Sequence, residues 1–130
     1  MANSRFKFRA WNKAENMYHY NAECAYDSMG GTPPLMHDSF GGVLCNDDYV
    51  VEQCTGLTDK NGKLIFEGDI LRLSLDDGNK VDREIYYDRG CCQYFLRHLD
   101  KRMFDGYTFN SSVANSLEII GNVHEKEVCQ

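Results

Sequence analysis

The stretch QCTGLTDKNGKLIFEGDILRLSLDDGNKVDREIYYD, residues 53–88, decides the fold. Within it Leu71, Leu73 and Leu75 alternate with Arg72 and Ser74, and Val81, Arg83, Ile85 and Tyr87 alternate with Asp82, Glu84 and Tyr86. A period of two sends successive side chains to opposite faces of a strand, so both runs read as half-buried strands. Asp76, Asp77, Gly78 and Asn79 between them supply turn chemistry, which makes the pair a hairpin. Upstream, Asn61 and Gly62 form a two-residue turn signal, because both tolerate positive φ where other side chains clash. Ile65 and Phe66 pack near that reversal. Glu67, Gly68 and Asp69 then turn into the leucine strand, with Gly68 supplying backbone freedom and Asp69 accepting a local N–H. The structural turn residues are thus Asp59, Asn61, Gly62, Gly68 and Asp69, joined by Gly121 near the end of the chain.

Working outward, Tyr49, Val50 and Val51 begin a strand toward Cys54. Asp88, Arg89 and Gly90 turn the chain into a strand over residues 92–99, with Tyr94 and Leu96 on one face. A loop centred on Asp105 and Gly106 follows, and Ser111 or Ser112 is placed to cap a short helical turn. The last regular element alternates Leu117, Ile119, Gly121 and Val123 with Glu118, Ile120, Asn122 and His124, a strand that closes the sheet. Toward the N-terminus, Phe6, Phe8 and Ala10 alternate with Lys7 and Arg9, then NKAEN supplies a turn before Met17, Tyr18 and Tyr20. This predicts a hairpin joining residues 5–11 to 17–21, with Trp11 an anchor against the core. Short strands separated by Gly, Asn and Asp turns favour an all-β fold, a small antiparallel barrel that satisfies its edges by curling back on itself.

Residues 22–48 break the pattern. GG at 30–31, PP at 33–34 and GG at 41–42 punctuate a long irregular insertion, with a short helix around 22–29 and with Leu35, Met36, Phe40, Val43 and Leu44 available to pin it locally. The expected organisation is one domain over residues 1–130, with a barrel-like core at 49–126 and the insertion mobile or partner-facing.

Composition narrows the function classes. Leu, Ile, Val and Phe number 29 of 130 residues, just above the level at which a charged chain reads as disordered. Fourteen Lys and Arg against twenty Asp and Glu give a net charge of −6, opposite to the basic footprint of a phosphate-binding protein. Residues 1–13 carry Arg5, Lys7, Arg9 and Lys13 and no acid, whereas residues 14–59 carry eight acids and no Lys or Arg. The opening residues hold no apolar run of signal-peptide length and no stretch of eighteen apolar residues occurs, so the expectation is a cytoplasmic protein without a membrane partner.

Six cysteines in an unexported chain read mostly as small buried hydrophobes. The sharpest metal constellation is His19, Cys24, His37 and Cys45, whose spacing matches no compact zinc module, so no metal is assigned. GLTDKNGK fails as a phosphate-binding loop because five residues separate Gly56 from Gly62 and Leu64 stands where a hydroxyl is needed. It fails as a calcium loop because Leu64 also takes the glycine position. Glu67 and Asp69 read as turn residues rather than as a catalytic carboxylate pair. No G-x-S-x-G elbow or H-E-x-x-H pair occurs, so no catalytic residue and no cofactor is assigned.

Three blocks carry a family likeness: RFKFRAWNKAENMYHY at 5–20, QCTGLTDKNGKLIFEGDILRL at 53–73 and LEIIGNVHEK at 117–126. Together they resemble the YopX family, whose pattern has a K-F-R-A-W opening, a T-G-L-x-D-K-N-G-x-x-I-x-E-G-D-I middle and an E-V-I-G-N-I-Y-E end. Thr55, Gly56, Leu57, Asp59, Lys60, Asn61, Gly62, Ile65, Glu67, Gly68, Asp69, Ile70, Ile120, Gly121 and Asn122 stand where those patterns put them. Residues 22–48 match no part of it, and His124 stands where Tyr is common. The resemblance implies an SH3-like β-barrel with extra N-terminal strands and a phage or prophage protein in the cytoplasm of a bacterial host, and it supplies no reaction.

Two kinds of binding function remain. One is a protein-interaction or self-assembly module, a homo-oligomer or the binder of another protein, since eight Tyr and Trp11 are rigid contact residues. The other, disfavoured by charge, is a nucleic-acid-binding barrel. Both draw on the candidate contact residues Arg5, Lys7, Arg9, Trp11, Tyr18, Arg97, Lys101 and Arg102. An enzyme of another class is the third alternative.

Overall fold

A computed structural model describes residues 4–24, 40–99 and 106–125 of the chain. The described strands are β1 Phe8–Asn12, β2 Met17–Tyr20, β3 Tyr49–Thr58, β4 Leu64–Phe66, β5 Asp69–Ser74, β6 Lys80–Asp88, β7 Gln93–His98, β8 Gly106–Thr108 and β9 Glu118–Asn122. Helix α1 covers Phe40–Cys45 and α2 covers Ser111–Ala114. The protein is mainly β, with two antiparallel sheets ordered β2-β1-β3-β4 and β8-β7-β6-β5-β9, the second curled into a half-barrel. The chain forms two compact units, Met1–Cys54 and Thr55–Gln130, and β3 runs from one into the other. None of the described helices is long and apolar enough to cross a membrane.

In the first unit, β1 pairs with β2 in the register Ala10↔His19 and Trp11↔Tyr18. Asn12 organises the reversal: its carbonyl accepts from Asn16 N at 2.8 Å and its Oδ1 accepts from the amides of Ala14 and Glu15. The alternation at Phe8 and Ala10 delivers one apolar face, where Ala10, Ala22 and Val43 are fully buried and Phe8, Phe40, Tyr49 and Val51 pack around them. Phe6 departs from the alternation, lying in a 3-10 turn and half exposed. Trp11 lies outside this core, packed edge-on against Tyr18 with centroids 5.0 Å apart. The described ends of the stretch expected to be irregular are regular: Ala22–Cys24 is a 3-10 turn and Phe40–Cys45 a helix, because Ala22 and Val43 are buried against Ala10. Residues 25–39 lie outside the described part, as does the rest of the helix expected near 22–29.

In the second unit, Ile65, Leu71, Ile85, Leu96, Phe109, Ala114 and Leu117 form the core. The two hairpin turns differ from a two-residue reversal. Gly62 N donates to Asp59 O at 3.0 Å and Asp59 N donates to Lys63 O at 2.8 Å, so Lys60, Asn61 and Gly62 form a three-residue loop. Gly62 has positive φ, at 84°, and Asn61 does not. The same geometry recurs at Leu75–Asn79, with Gly78 at φ 86°. A type I turn closed by a left-handed glycine matches the twist of the strands with one special residue instead of two. The strand after the third turn starts at Gln93, since Cys92 occupies a left-handed position, φ 54°, inside the turn.

Three further expectations are corrected. The cap of α2 is Asn110, whose Oδ1 accepts from Val113 N at 3.1 Å, and Ser111 is already the first helical residue. Asn is at least as good a cap as Ser, because its carbonyl oxygen reaches the same orphan amide. The alternation of the last strand is interrupted: Ile70 faces Gly121 while Leu71 faces Ile119, so Ile120 is the extra residue of a bulge. Of the described cysteines only Cys54 is buried, whereas Cys24, Cys45, Cys91 and Cys92 are exposed in turns or at helix ends.

Candidate functional site

Register determines what the curled sheet presents. Leu71 faces Arg83, which faces His98; Leu73 faces Val81; Ile85 faces Leu96, which faces Tyr107. Directly opposed residues share a face, so these side chains line the inner surface of the sheet. Ile85 is fully covered there. The part left open is a cleft of about 430 Å³, lined by Leu71, Leu73, Leu75, Val81, Leu96 and Leu117, with Val113, Tyr107 and Thr108 also on its wall. Leu75 is 40% exposed and Tyr107 57% exposed at its margin. A cavity of this size and apolar character is the usual form of a binding site.

Arg83 is the charged residue in this lining. Its Nη1 donates to Asp82 O at 3.1 Å, its Cζ lies 5.4 Å from the centre of the Tyr107 ring, and its Nε is buried without a hydrogen-bond partner among the described residues. The arginines on the other face of the same sheet are matched with acids. Arg72 grips Asp82 through Nε and Nη2 at 2.9 and 3.0 Å, and Arg97 grips Glu84 at 3.1 Å through both nitrogens. The hydrogen bond and charge of Asp82 raise the Arg72 pKa above its ordinary value.

The residues singled out from sequence fall into separate places. In the first unit Arg9 and Glu52, both 4% exposed, form a buried ion pair at 2.8 Å. Tyr18 Oη donates to the same carboxylate at 2.8 Å, and its ring lies 4.1 Å from Arg9 Cζ. Arg9, Trp11 and Tyr18 therefore come together, with the Arg9 charge already matched. Arg5 is exposed and stacks on Phe6, and its carbonyl accepts from Gln53 Nε2, while the Lys7 carbonyl accepts from Cys54 N. Arg97 belongs to the second unit, packed 4.5 Å from the Tyr86 ring centre, and Lys101 and Arg102 lie outside the described residues.

The turn residues hold the sheet that frames the cleft. Asp59, 3% exposed, accepts from Asn61 N and Lys63 N through Oδ1 and from Ile119 N through Oδ2. Burial pushes its pKa up, but those three amides and the nearby Lys63 charge outweigh it and hold the carboxyl below the ordinary value. Asp69 accepts from Phe66 N at 2.8 Å, Gly68 N donates to Ile85 O, and Val123 N donates to Gly68 O. Gly121 sits opposite Ile70 beside the bulge. Of the metal constellation, His19 is buried with Nε2 3.4 Å from Asn12 Nδ2, Cys24 and Cys45 are exposed, and His37 lies outside the described residues. Among the described residues no three His, Cys, Asp or Glu converge on a common point suited to a metal.

The cleft itself was not singled out from sequence. Its signal was Arg83, an arginine in the apolar phase of a strand between Val81 and Ile85.

Comparison with known proteins places the molecule. The family model described as YopX protein matches residues 7–128. The chain belongs to the YopX family. Among solved structures, protein EF1440 from Enterococcus faecalis is 30% identical, with 95% of this chain and 97% of that one covered and a TM-score of 0.63. The yopX protein from Bacillus subtilis shares the fold at 16% identity, with 97% and 98% covered and a TM-score of 0.57. No curated protein matches the chain. The span matched by the YopX model contains every residue of the cleft lining.

Proposed function

We propose that this YopX protein acts by binding, as a protein-interaction module of phage or prophage origin whose contact surface is the leucine-lined cleft of the curled sheet. In this reading the sheet serves as an SH3-like barrel left partly open, working in the cytoplasm of a bacterial host, and self-association is one use of the same surface. The observation that carries it is the cleft: about 430 Å³ of mostly apolar wall with Leu75 and Tyr107 standing partly exposed at its margin. Apolar surface gathered in one concavity gains free energy when a partner covers it, and a tyrosine beside an arginine is a common anchor pairing at interfaces. The nucleic-acid reading loses support from the pairing of Arg9 with Glu52 and Arg97 with Glu84, which neutralises two of the cations it would use.

A photo-crosslinking side chain placed at Leu75, with the same group at Asp77 as control, tests this in a bacterial host. Discrete protein adducts from position 75, absent from position 77 and suppressed by Leu73→Lys in a folded variant, support the proposal. A folded protein that gives no adduct from 75, or equal adducts from both positions, overturns it. A mobility shift with nucleic acid whose affinity falls steeply with salt decides for the other reading.

A further inference from the structure

Granting the binding reading, the guanidinium on the cleft wall, which no carboxylate among the described residues matches, specifies what binds. We propose that the cleft receives an extended segment of a partner protein, seating one large apolar side chain among Leu71, Leu73, Val81 and Leu96 and setting a carboxylate beside it on Arg83.

The apolar half follows from the lining. The acidic half follows from Arg83. Each strand arginine on the outer face of this sheet is gripped by a carboxylate through two nitrogens, but among the described residues Arg83 makes one hydrogen bond, to a backbone carbonyl. A guanidinium carries five donors in a planar fork that matches a carboxylate. Burying the Arg83 Nε without a partner among the described residues is unfavourable, and a carboxylate brought to the Nη edge offsets that cost by charge. Its Nε is withdrawn from solvent, so a carboxylate reaches it from the Nη edge, and the apolar wall around the pair limits screening and strengthens the attraction.

The edge of the sheet favours a protein segment over a free acid. Strand β8 is the end strand in the order β8-β7-β6-β5-β9, and among the described residues it pairs with β7 alone. Its Tyr107 and Thr108 lie on the cleft wall. An extended segment laid along that edge adds main-chain hydrogen bonds and drops alternate side chains toward the cleft, the usual geometry of strand addition. A fatty acid fits the cleft chemistry but gains nothing from the edge.

The test is an NMR titration of the full chain, following the Leu and Val methyls and the Arg Nε–H signals. The probes are acetylated, amidated heptapeptide pools with central Leu or Phe and Asp scanned through the other positions, the same pools with Asn for Asp, and decanoate. Expected are shifts at the Leu71 and Leu73 methyls, with the best Asp pool binding roughly tenfold tighter than its Asn counterpart. Arg83→Gln should collapse that preference and Arg83→Lys retain part of it, both with native methyl spectra.

Equal binding of Asp and Asn pools overturns the carboxylate assignment and leaves the cleft an apolar docking site, whose fate the Leu75 crosslink decides separately. Binding of decanoate without any peptide overturns the protein segment. Cleft shifts on dilution alone identify a second copy as the occupant, and peptide binding only after Met103→Ser and Phe104→Ser identifies the chain's own 100–105 segment; either result overturns the proposal.

Discussion

Replacing Asp59 probes the bond that fastens the β3–β4 hairpin to β9, the last strand of the curled sheet. The carboxylate accepts three backbone amides: Asn61 and Lys63 in its own turn, at 2.9 and 3.0 Å, and Ile119, sixty positions away, at 3.1 Å. Asp59→Ala orphans all three. A hydrogen bond to a charged acceptor contributes about 1.5–3 kcal/mol, but the exposed turn amides regain water, so the loss is less than the sum. The expected cost is about 2–4 kcal/mol, most of it from the Ile119 amide, which is partly buried. Asp59→Asn keeps one carbonyl for the turn and offers either that oxygen or an amide to Ile119, so it should cost about 1–2 kcal/mol. Urea denaturation gives the magnitude, and hydrogen exchange at Ile119 gives the location, since its amide should lose protection in both variants.

The pH dependence has a definite sign. The folded pKa of Asp59 is lowered from 3.8, so its ionised form stabilises the fold fully above that value, and the contribution disappears as pH falls through the folded pKa. Acid titration of stability should therefore be flatter for Asp59→Asn than for the parent below about pH 4. An Asp59→Ala variant within about 0.5 kcal/mol of the parent, with Ile119 still protected, would refute the reasoning.

Other perturbations separate core from margin. Leu71→Ala, at a fully buried position, should cost about 2–5 kcal/mol in urea denaturation, while Leu75→Ala, at the exposed end of the same row, should stay within about 0.5 kcal/mol. Glu52→Ala takes the carboxylate from the buried Arg9 guanidinium and from Tyr18 Oη and should cost about 3–5 kcal/mol, whereas the double replacement Arg9→Met and Glu52→Leu should recover much of that loss on thermal melting. Asn110→Ala should cost about 0.5–2 kcal/mol and Ser111→Ala almost nothing, and the reverse ranking in denaturation midpoints would return the cap to serine.

Much of the strand inventory was legible because it depends on neighbours in the chain. Leu71, Leu73 and Leu75 share a face whatever their surroundings, since a period of two is a property of extended backbone, and Gly62 and Gly78 mark reversals because the turn is local. The same alternation already put Arg83 in phase with Val81 and Ile85. It did not reveal a cleft. That required the pairings Leu71↔Arg83, Arg83↔His98 and Leu96↔Tyr107, which bring four strands into one curved face and leave Arg83 without an acid among the described residues, while Arg72 and Arg97 find theirs.

Tertiary structure also decided what local reading got wrong. Val43 belongs to a core because Ala10 and Ala22 are there to cover it, although the glycines around it signal a loop. The last strand carries a bulge at Ile120 because it must pair with β5 while Asp59 captures the Ile119 amide from a distant turn. Sequence by itself determined the longer strands, the places where the chain reverses and the family, but not the short strands β4 and β8. Torsional preference and side-chain period act over a few residues, and so they are readable in order along the chain. Which charges are matched, where the sheet bulges and which leucines stay open depend on partners far away in sequence, and only the folded chain selects them.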